Sequence, residues 1–343
     1  MSRFKFSVGP WNVASGVDVY GPPTRDEIPM KEKIKKFAEM GFDAIQFHDD
    51  DAVPDISSKS EEQIIAEAKE LKALLDEYNL EAEFVAPRLW FEPQFKDGAY
   101  TAPIKENWEH AMWRTYRSID IANILGAKFI VLWLAREGTL CMESKPPVET
   151  IQQLTKSLNL MLEYDENIKI AIEPKPNEPI DRSYAGTVGH AIALGNATID
   201  PDRMGVLVES AHSTMVGLEA THDLAFAIAQ NKLLSVHIND QNGIKYDQDK
   251  IFAAENLRSA FNQIKVLCDS DYDKEGKYVG LDVKAMRSTS FEHSYEHLAN
   301  TIKVVKMLED KVDKFDQAVV DEYVKDGNYE AIEMYILELL LTK

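Results

Sequence analysis

Eight short apolar, β-branched runs alternate with longer amphipathic stretches along this chain, and that alternation restricts it to α/β architectures built on a mostly parallel sheet. The runs are residues 4–10, 43–48, 81–87, 128–134, 168–173, 204–209, 233–239 and 278–284. Between them, residues 28–40, 60–78, 105–125, 148–164, 218–230, 253–268 and 292–310 place apolar side chains at helical spacing with charge on the other face. The connection after residue 178 reads as irregular. Eight strand–helix units predict a closed TIM (β/α)8 barrel over residues 1–312. An open, doubly wound sheet is the alternative, and it is weakened because no glycine-rich phosphate loop follows the first run. Residues 313–343 form a short C-terminal helical extension. Its apolar stretch from Tyr329 to Leu341 fits packing on its own barrel or on a neighbouring subunit.

Charge narrows the partners. A net charge of −20 counts against nucleic acid, which needs a basic surface. Cys141 and Cys268 are too few and too far apart for a disulfide framework or a cysteine-rich zinc site. No basic segment followed by an apolar one opens the chain, and no apolar run approaches the roughly 20 residues of a bilayer span. A cytoplasmic enzyme without a membrane partner is expected.

Barrel enzymes carry their sites at the C-terminal ends of the strands, and polar residues collect there in strand after strand. The second run ends in Phe47-His48-Asp49-Asp50-Asp51, an imidazole with carboxylates that can orient it. The fifth ends in Glu173-Pro174-Lys175-Pro176-Asn177-Glu178-Pro179. Three prolines fix φ and aim Glu173 and Lys175 to one side. The sixth ends in Glu209-Ser210-Ala211-His212, the seventh in His237-Ile238-Asn239-Asp240, followed by Asp247 and Asp249. The eighth carries Asp282 within Gly280-Leu281-Asp282-Val283-Lys284, a carboxylate that is costly to bury unless paired or metal-bound. So many carboxylates at one end of a barrel require cations. Oxygen ligands with one histidine suit Mg²⁺ or Mn²⁺, with Co²⁺ possible, and the donors suffice for two ions. Trp11, Trp90 and Trp133 stand near the same end, where aromatic walls suit the apolar faces of a sugar.

These motifs resemble the xylose isomerase family, particularly its shorter actinobacterial-type members, from about Phe4 to about Lys306. Similar stretches include Phe47–Asp51, Phe95–Gly98, Trp133 with Arg136–Gly138, Glu173–Pro179, Thr187–Ala191, Glu209-x-x-His212, Gly243–Asp249 and Asp282-x-Lys284. The resemblance implies an aldose–ketose isomerase, with D-xylose or D-glucose as substrate, working by metal-assisted hydride shift from C2 to C1. It implies that Glu173, Glu209 and Asp282 hold one ion, and that Glu209, His212, Asp247 and Asp249 hold a second. It gives His48, oriented by Asp51, a role in opening the sugar ring, and gives Lys175 the developing charge on the C1 oxygen. Trp11 and Trp133 shield the reacting carbons.

The departures bear on substrate. Asn239 stands where the family has an aspartate ligand, so either Asn239 or Asp240 completes the first ion site. Arg88-Leu89-Trp90-Phe91-Glu92 replaces a family segment that lines the sugar pocket, putting Trp90 in place of a phenylalanine. Tyr20 matches a phenylalanine that the family inserts into the adjacent subunit's site, which implies a homo-oligomer, dimer or tetramer. Two rival readings remain: an epimerase or isomerase of another sugar, and a non-catalytic sugar-binding relative.

Overall fold

The structure, a computed structural model, describes residues 2–244 and 246–342. Eight parallel strands close into a barrel: β1 (Lys5–Val8), β2 (Ala44–His48), β3 (Glu81–Ala86), β4 (Phe129–Trp133), β5 (Lys169–Glu173), β6 (Met204–Glu209), β7 (Leu233–Ile238) and β8 (Tyr278–Leu281). They follow one another around the barrel in sequence order, with β8 paired back to β1. This is the TIM barrel that the alternating pattern predicts, and each strand falls within its expected run. A separate two-stranded antiparallel ribbon joins Gly138–Thr139 to Arg182–Ser183 above the barrel.

The outer helices are α1 (Met30–Met40), α2 (Glu61–Glu77), α3 (Lys105–Leu125), α4 (Pro147–Tyr164), α5 (Val188–Asn196), α6 (Ala220–Ala229), α7 (Leu257–Asp269) and α8 (Glu296–Lys314). Helix α2 starts at a capping box, in which Ser60 Oγ accepts from Gln63 N and the Gln63 side chain accepts from Ser60 N. Helix α5 lies in the connection expected to be irregular. Its nine residues contain Gly189 and Gly195 and offer little amphipathic pattern, so tertiary packing supplies its stability. Thr187 caps it through His190 N.

Two cores result. The larger lies between strands and helices and includes Ile34, Phe37, Ile64, Leu158, Ile264 and Val305. The smaller fills part of the barrel interior with Phe84, Ala86, Phe129, Val131, Ala171 and Leu207. Beyond α8, α9 (Gln317–Lys325) and α10 (Tyr329–Leu341) fold back. Ile336 is buried and Tyr335 packs against Phe315, 5.8 Å between ring centroids, while Tyr329, Met334 and Leu341 stay exposed. No helix among the described residues is long and apolar enough to cross a membrane.

Candidate active site

Strand register assembles the site. Trp133 at the end of β4 pairs with Glu173 at the end of β5, and Glu209 at the end of β6 pairs with His237 in β7. Asp282 follows β8 directly. With Lys175, His212, Asp247, Asp249 and Lys284 they surround a cavity of about 260 Å³, also lined by Trp11, His48, Phe84, Arg88, Trp90 and Trp133. That volume lies at the small end of ligand pockets, which start near 300 Å³.

The acidic residues gather into two halves that share Glu209, and a third cluster of Glu209, Asp249 and Asp282 joins them. In the first, Glu173, Glu209 and His237 bring their ligand atoms within 4.8 Å of one another. His237 Nδ1 stands 3.3 Å from Glu209 Oε2, 3.7 Å from Asp282 Oδ2 and 3.9 Å from Glu173 Oε1. In the second, Glu209, His212 and Asp247 converge equally closely. His212 Nε2 lies 3.0 Å from Asp247 Oδ2 and 3.2 Å from Glu209 Oε1. The two oxygens of Glu209 therefore face two different imidazoles.

His212 is turned by a hydrogen bond behind it. Its Nδ1 donates to the Pro174 carbonyl at 3.1 Å. A carbonyl only accepts, so Nδ1 carries a proton and Nε2 is the nitrogen turned to the carboxylates. His237 was not expected among the ligands, because Asn239 two residues on occupied that place in the motif. The structure nevertheless brings His237 Nδ1 into a cluster with Glu173 and Glu209. Asn239 Oδ1 accepts from Ala211 N at 2.8 Å, and Nδ2 donates to Glu209 Oε1 (2.8 Å), the Asp282 carbonyl (3.0 Å) and Asp249 Oδ1 (3.3 Å). An amide that points its N–H groups at the acids braces them and offers no oxygen to an ion. Asp240 stands apart from the acids. Its carboxylate accepts from Gln241, Glu255 and Asn256 backbone N–H groups, outside the cavity.

The second half has its own cations. Lys175 Nζ lies 3.0 Å from Asp247 Oδ2, 2.9 Å from Glu178 Oε2 and 5.0 Å from the Trp133 ring centroid. Burial opposes its charge, but Asp247 and Glu178 outweigh burial and hold the ammonium well above the ordinary lysine range. Lys284 Nζ donates to Asp249 Oδ2, and its backbone N–H donates to the Asp249 carbonyl. These contacts hold Asp249 at φ 47°, a left-handed conformation that costs a non-glycine residue about 1–3 kcal/mol.

On the opposite wall, His48 Nδ1 lies 2.9 Å from Asp51 Oδ2, which also accepts from His48 N. Arg88 had no expected role, yet its Nη2 lies 2.7 Å from His48 Nδ1 and 3.2 Å from Asp51 Oδ2. Burial would raise the Asp51 carboxyl. The His48 hydrogen bonds and the Arg88 charge more than offset it and hold Asp51 at about 2. The loop itself is anchored by Asp49, fully buried, which accepts from Arg114 Nε (2.6 Å) and Nη2 (2.8 Å).

Aromatic rings close the cavity. Trp11 lies 4.5 Å from His48 and its Nε1 donates to Asp282 Oδ1 at 3.1 Å. Glycine at position 9 permits this, since an added Cβ would run into the Trp11 indole. Trp90 meets His48 at 5.3 Å and Trp133 at 4.4 Å, both edge to face. Each such contact contributes about 0.5–1.5 kcal/mol. Tyr20 does not join them. It is 84% exposed and lines no part of its own cavity. Lys245, within the Gly243–Asp249 motif, lies outside the described residues.

The donor set fits divalent cations. Five buried or nearly buried carboxylates, Glu173, Glu209, Asp247, Asp249 and Asp282, face two lysines. Burial and Glu209 together push Glu173 up to about 8. Asp247 Oδ1 is buried with no hydrogen-bond partner, an acceptor left over for an ion. A protein-family model described as a xylose isomerase-like TIM barrel matches residues 34–265. Among solved structures, a D-tagatose 3-epimerase-like protein superposes with a TM-score of 0.65 at 17% identity, covering 90% of this chain and 99% of that one. The 3-keto-D-glucoside 4-epimerase from E. coli gives 0.61 at 15% identity, covering 88% and 99%. A D-psicose 3-epimerase solved in the presence of D-fructose gives 0.65 at 12%, covering 89% and 99%. At these identities the likeness is one of fold.

Proposed function

The chain belongs to the xylose isomerase-like TIM-barrel family, and from that premise we propose that it is a metal-dependent aldose–ketose isomerase acting on an uncharged sugar, with D-xylose the leading substrate and D-glucose next. The observation that carries this reading is the double engagement of Glu209, whose Oε2 faces His237 and whose Oε1 faces His212. A carboxylate with an oxygen in each of two ligand clusters suits a pair of ions, and paired ions suit a hydride shift between neighbouring carbons. Glu173, Glu209, His237 and Asp282 would hold one ion, and Glu209, His212, Asp247 and Asp249 the other. Mg²⁺, Mn²⁺ or Co²⁺ bound there would supply Lewis-acid polarisation to the sugar oxygens.

The chain's own residues do the rest. His48, held against Asp51, sits where it can exchange a proton with the ring oxygen as the sugar opens. Lys175 is kept charged by Asp247 and Glu178, and so can stabilise negative charge developing on the C1 oxygen. Trp11, Trp90 and Trp133 exclude water from the transfer. Each cation of the cavity is already paired with acids: Lys175 with Asp247, Lys284 with Asp249, Arg88 with Asp50 and Asp51. Among the described residues none is left over for a phosphate, which favours an unphosphorylated sugar. Tyr20 enters this reading only as a contribution from a second copy of the chain.

A second reading, a sugar epimerase, is favoured by the first half alone. Glu173 and Asp282 flank His237 there, a pair of carboxylates that could remove and return a proton around one ion. One experiment separates the two. Ketose formation is followed from a panel of aldoses, D-xylose first, in D₂O with Mg²⁺, Mn²⁺ or EDTA. Metal-dependent ketose carrying little solvent deuterium is the expected result. Solvent deuterium taken up with the sugar returned as its epimer and no ketose formed moves the assignment to the epimerase, and no turnover on any sugar of the panel removes the catalytic reading.

A further inference from the structure

Beneath the first half of the site, the barrel interior is polar. Barrels of this kind are ordinarily filled by layers of branched apolar side chains. Here the interior also holds Ser7, Gln46, Glu83 and Ser235, all between 0% and 3% exposed. Ser7 and Gln46 face inward by alternation with Phe6, Val8, Ile45 and Phe47, and two irregularities bring Glu83 and Ser235 to meet them. Between β2 and β3 the register passes from Ile45↔Ala82 to Phe47↔Val85, so Gln46 opposes both Glu83 and Phe84. Between β6 and β7 it passes from Val206↔Leu233 to Leu207↔Ser235, which makes Leu234 the extra residue. A bulge re-aims a side chain that strict alternation would send to the other face. The two bulges meet across the barrel, where Ser235 Oγ donates to Glu83 Oε1 at 2.5 Å.

The hydrogen bonds run in one direction. Ser7 Oγ donates to Glu83 Oε2, and Gln46 Nε2 donates to Glu83 Oε2 at 2.9 Å and to Ser7 Oγ at 3.0 Å. A carboxylate only accepts, so the amide of Gln46 must turn its NH₂ to Glu83 and its oxygen the other way. That oxygen meets His237 Nε2 at 3.1 Å. Nε2 therefore carries a proton, which leaves Nδ1 as the nitrogen that would be free to bind an ion once its own proton is displaced. We infer that Glu83 and Gln46 are positioning residues, which act through His237 by fixing its tautomer and aiming Nδ1 at Glu173, Glu209 and Asp282. The inference rests on reading those groups as an ion site. Position 280 supports it independently. Gly280 lies level with Ser7 on β1 and His237 on β7. A Cβ added there would run into Gln46 Nε2 and come within 2.9 Å of His237 Cδ2. The neighbouring strand is stripped of its side chain where the Gln46–His237 pair needs the room.

The test is Mn²⁺ titration of the full-length protein, followed by calorimetry and electron paramagnetic resonance, on wild type, Gln46→Met and Glu83→Gln. Gln46→Met keeps the length of the side chain and removes the acceptor. It should weaken one Mn²⁺ site by roughly 10–100-fold and leave the other unchanged, as loss of an outer hydrogen bond to a ligand histidine does. Glu83→Gln, whose amide lets Gln46 rotate, should weaken the same site by less. Wild-type affinity in Gln46→Met overturns the positioning role while leaving the ion site standing. Failure of wild type itself to bind Mn²⁺ overturns the ion site, and the inference with it. A measurement on wild type alone guards against misfolded variants. In ¹⁵N-histidine-labelled, Mg²⁺-loaded protein, His237 should show a protonated Nε2 and a bare Nδ1. A proton on Nδ1 overturns the proposal.

Discussion

The two halves of the candidate site hold the same kind of ligands by opposite means. The first is braced from below, where Glu83 and Gln46 turn His237 from inside the barrel and Asn239 ties Glu209 to the backbone of Asp282. The second is braced from the side by loop residues, with Lys175 on Asp247 and Lys284 on Asp249. The lower brace reaches the ligands through the amides of Gln46 and Asn239, which place no positive charge on them. The side brace places positive charge directly on the ligands, so an ion entering there competes with ammonium groups. On the proposed reading the first half is expected to hold its ion the more tightly and the second to be the more adjustable. There Lys175 would leave a ligand carboxylate for a substrate oxygen.

Replacing Lys175 tests this contrast most severely. Lys175→Ala should lower kcat by about 10²–10³-fold, the cost of losing one preorganised charge at a developing oxyanion. Binding of Mn²⁺ in the first half should not change, and in the second half it should tighten as the competing ammonium disappears. Unchanged turnover takes Lys175 out of the chemistry. A smaller effect is expected from Asp247→Ala. It should weaken one ion of two by about tenfold or more, and a titration with both sites at their wild-type affinity contradicts the division into halves.

Acid–base linkage gives the smallest signal and distinguishes protons from metal. Without metal, burial would lower both imidazoles. Glu209 and Asp247 outweigh this for His212, raising it to about 9, and the Glu209 hydrogen bond with the charges of Glu173 and Asp282 raises His237 to about 10. Their stabilisation is complete below the ordinary value of 6.5 and is lost as pH rises through 9 and 10. Glu173, held protonated up to about 8 by burial and Glu209, has the same sign, losing stability from its ordinary 4.5 upward. Melting in EDTA should therefore fall between pH 6.5 and pH 9.5 relative to melting in Mg²⁺, by on the order of a few degrees. A gap that narrows as pH rises would mean that protons and metal do not compete for these groups.

Most of the site was legible because strand ends are marked twice in a sequence. The apolar run locates the strand, and the polar residue that terminates it announces the rim. Glu173, Glu209, His212, Asp247, Asp249 and Asp282 all entered this way, and so did His48 with Asp51. Arg88 was visible only as an oddity of its segment. Its position beside His48 depends on how β2 and β3 align, as the pairing of His48 with Ala86 shows.

What the chain determined by itself is the barrel and the ring of acids at its mouth. Hydrophobic periodicity is a local property, and eight repeats of it leave one common architecture. The tertiary structure alone decided which atom of each residue faces the site. Asn239 and His237 are two apart at the end of β7, yet the first braces and the second points its ring nitrogen at the acids, because Ala211, in the turn of helix after β6, and Gln46 of β2 come to meet them. Alternation with Phe84 and Ala86, which face the barrel interior, would have sent Glu83 to the helix-covered outer face. A bulge against Gln46 turns it inward, and register is a relation between two strands that neither one encodes alone.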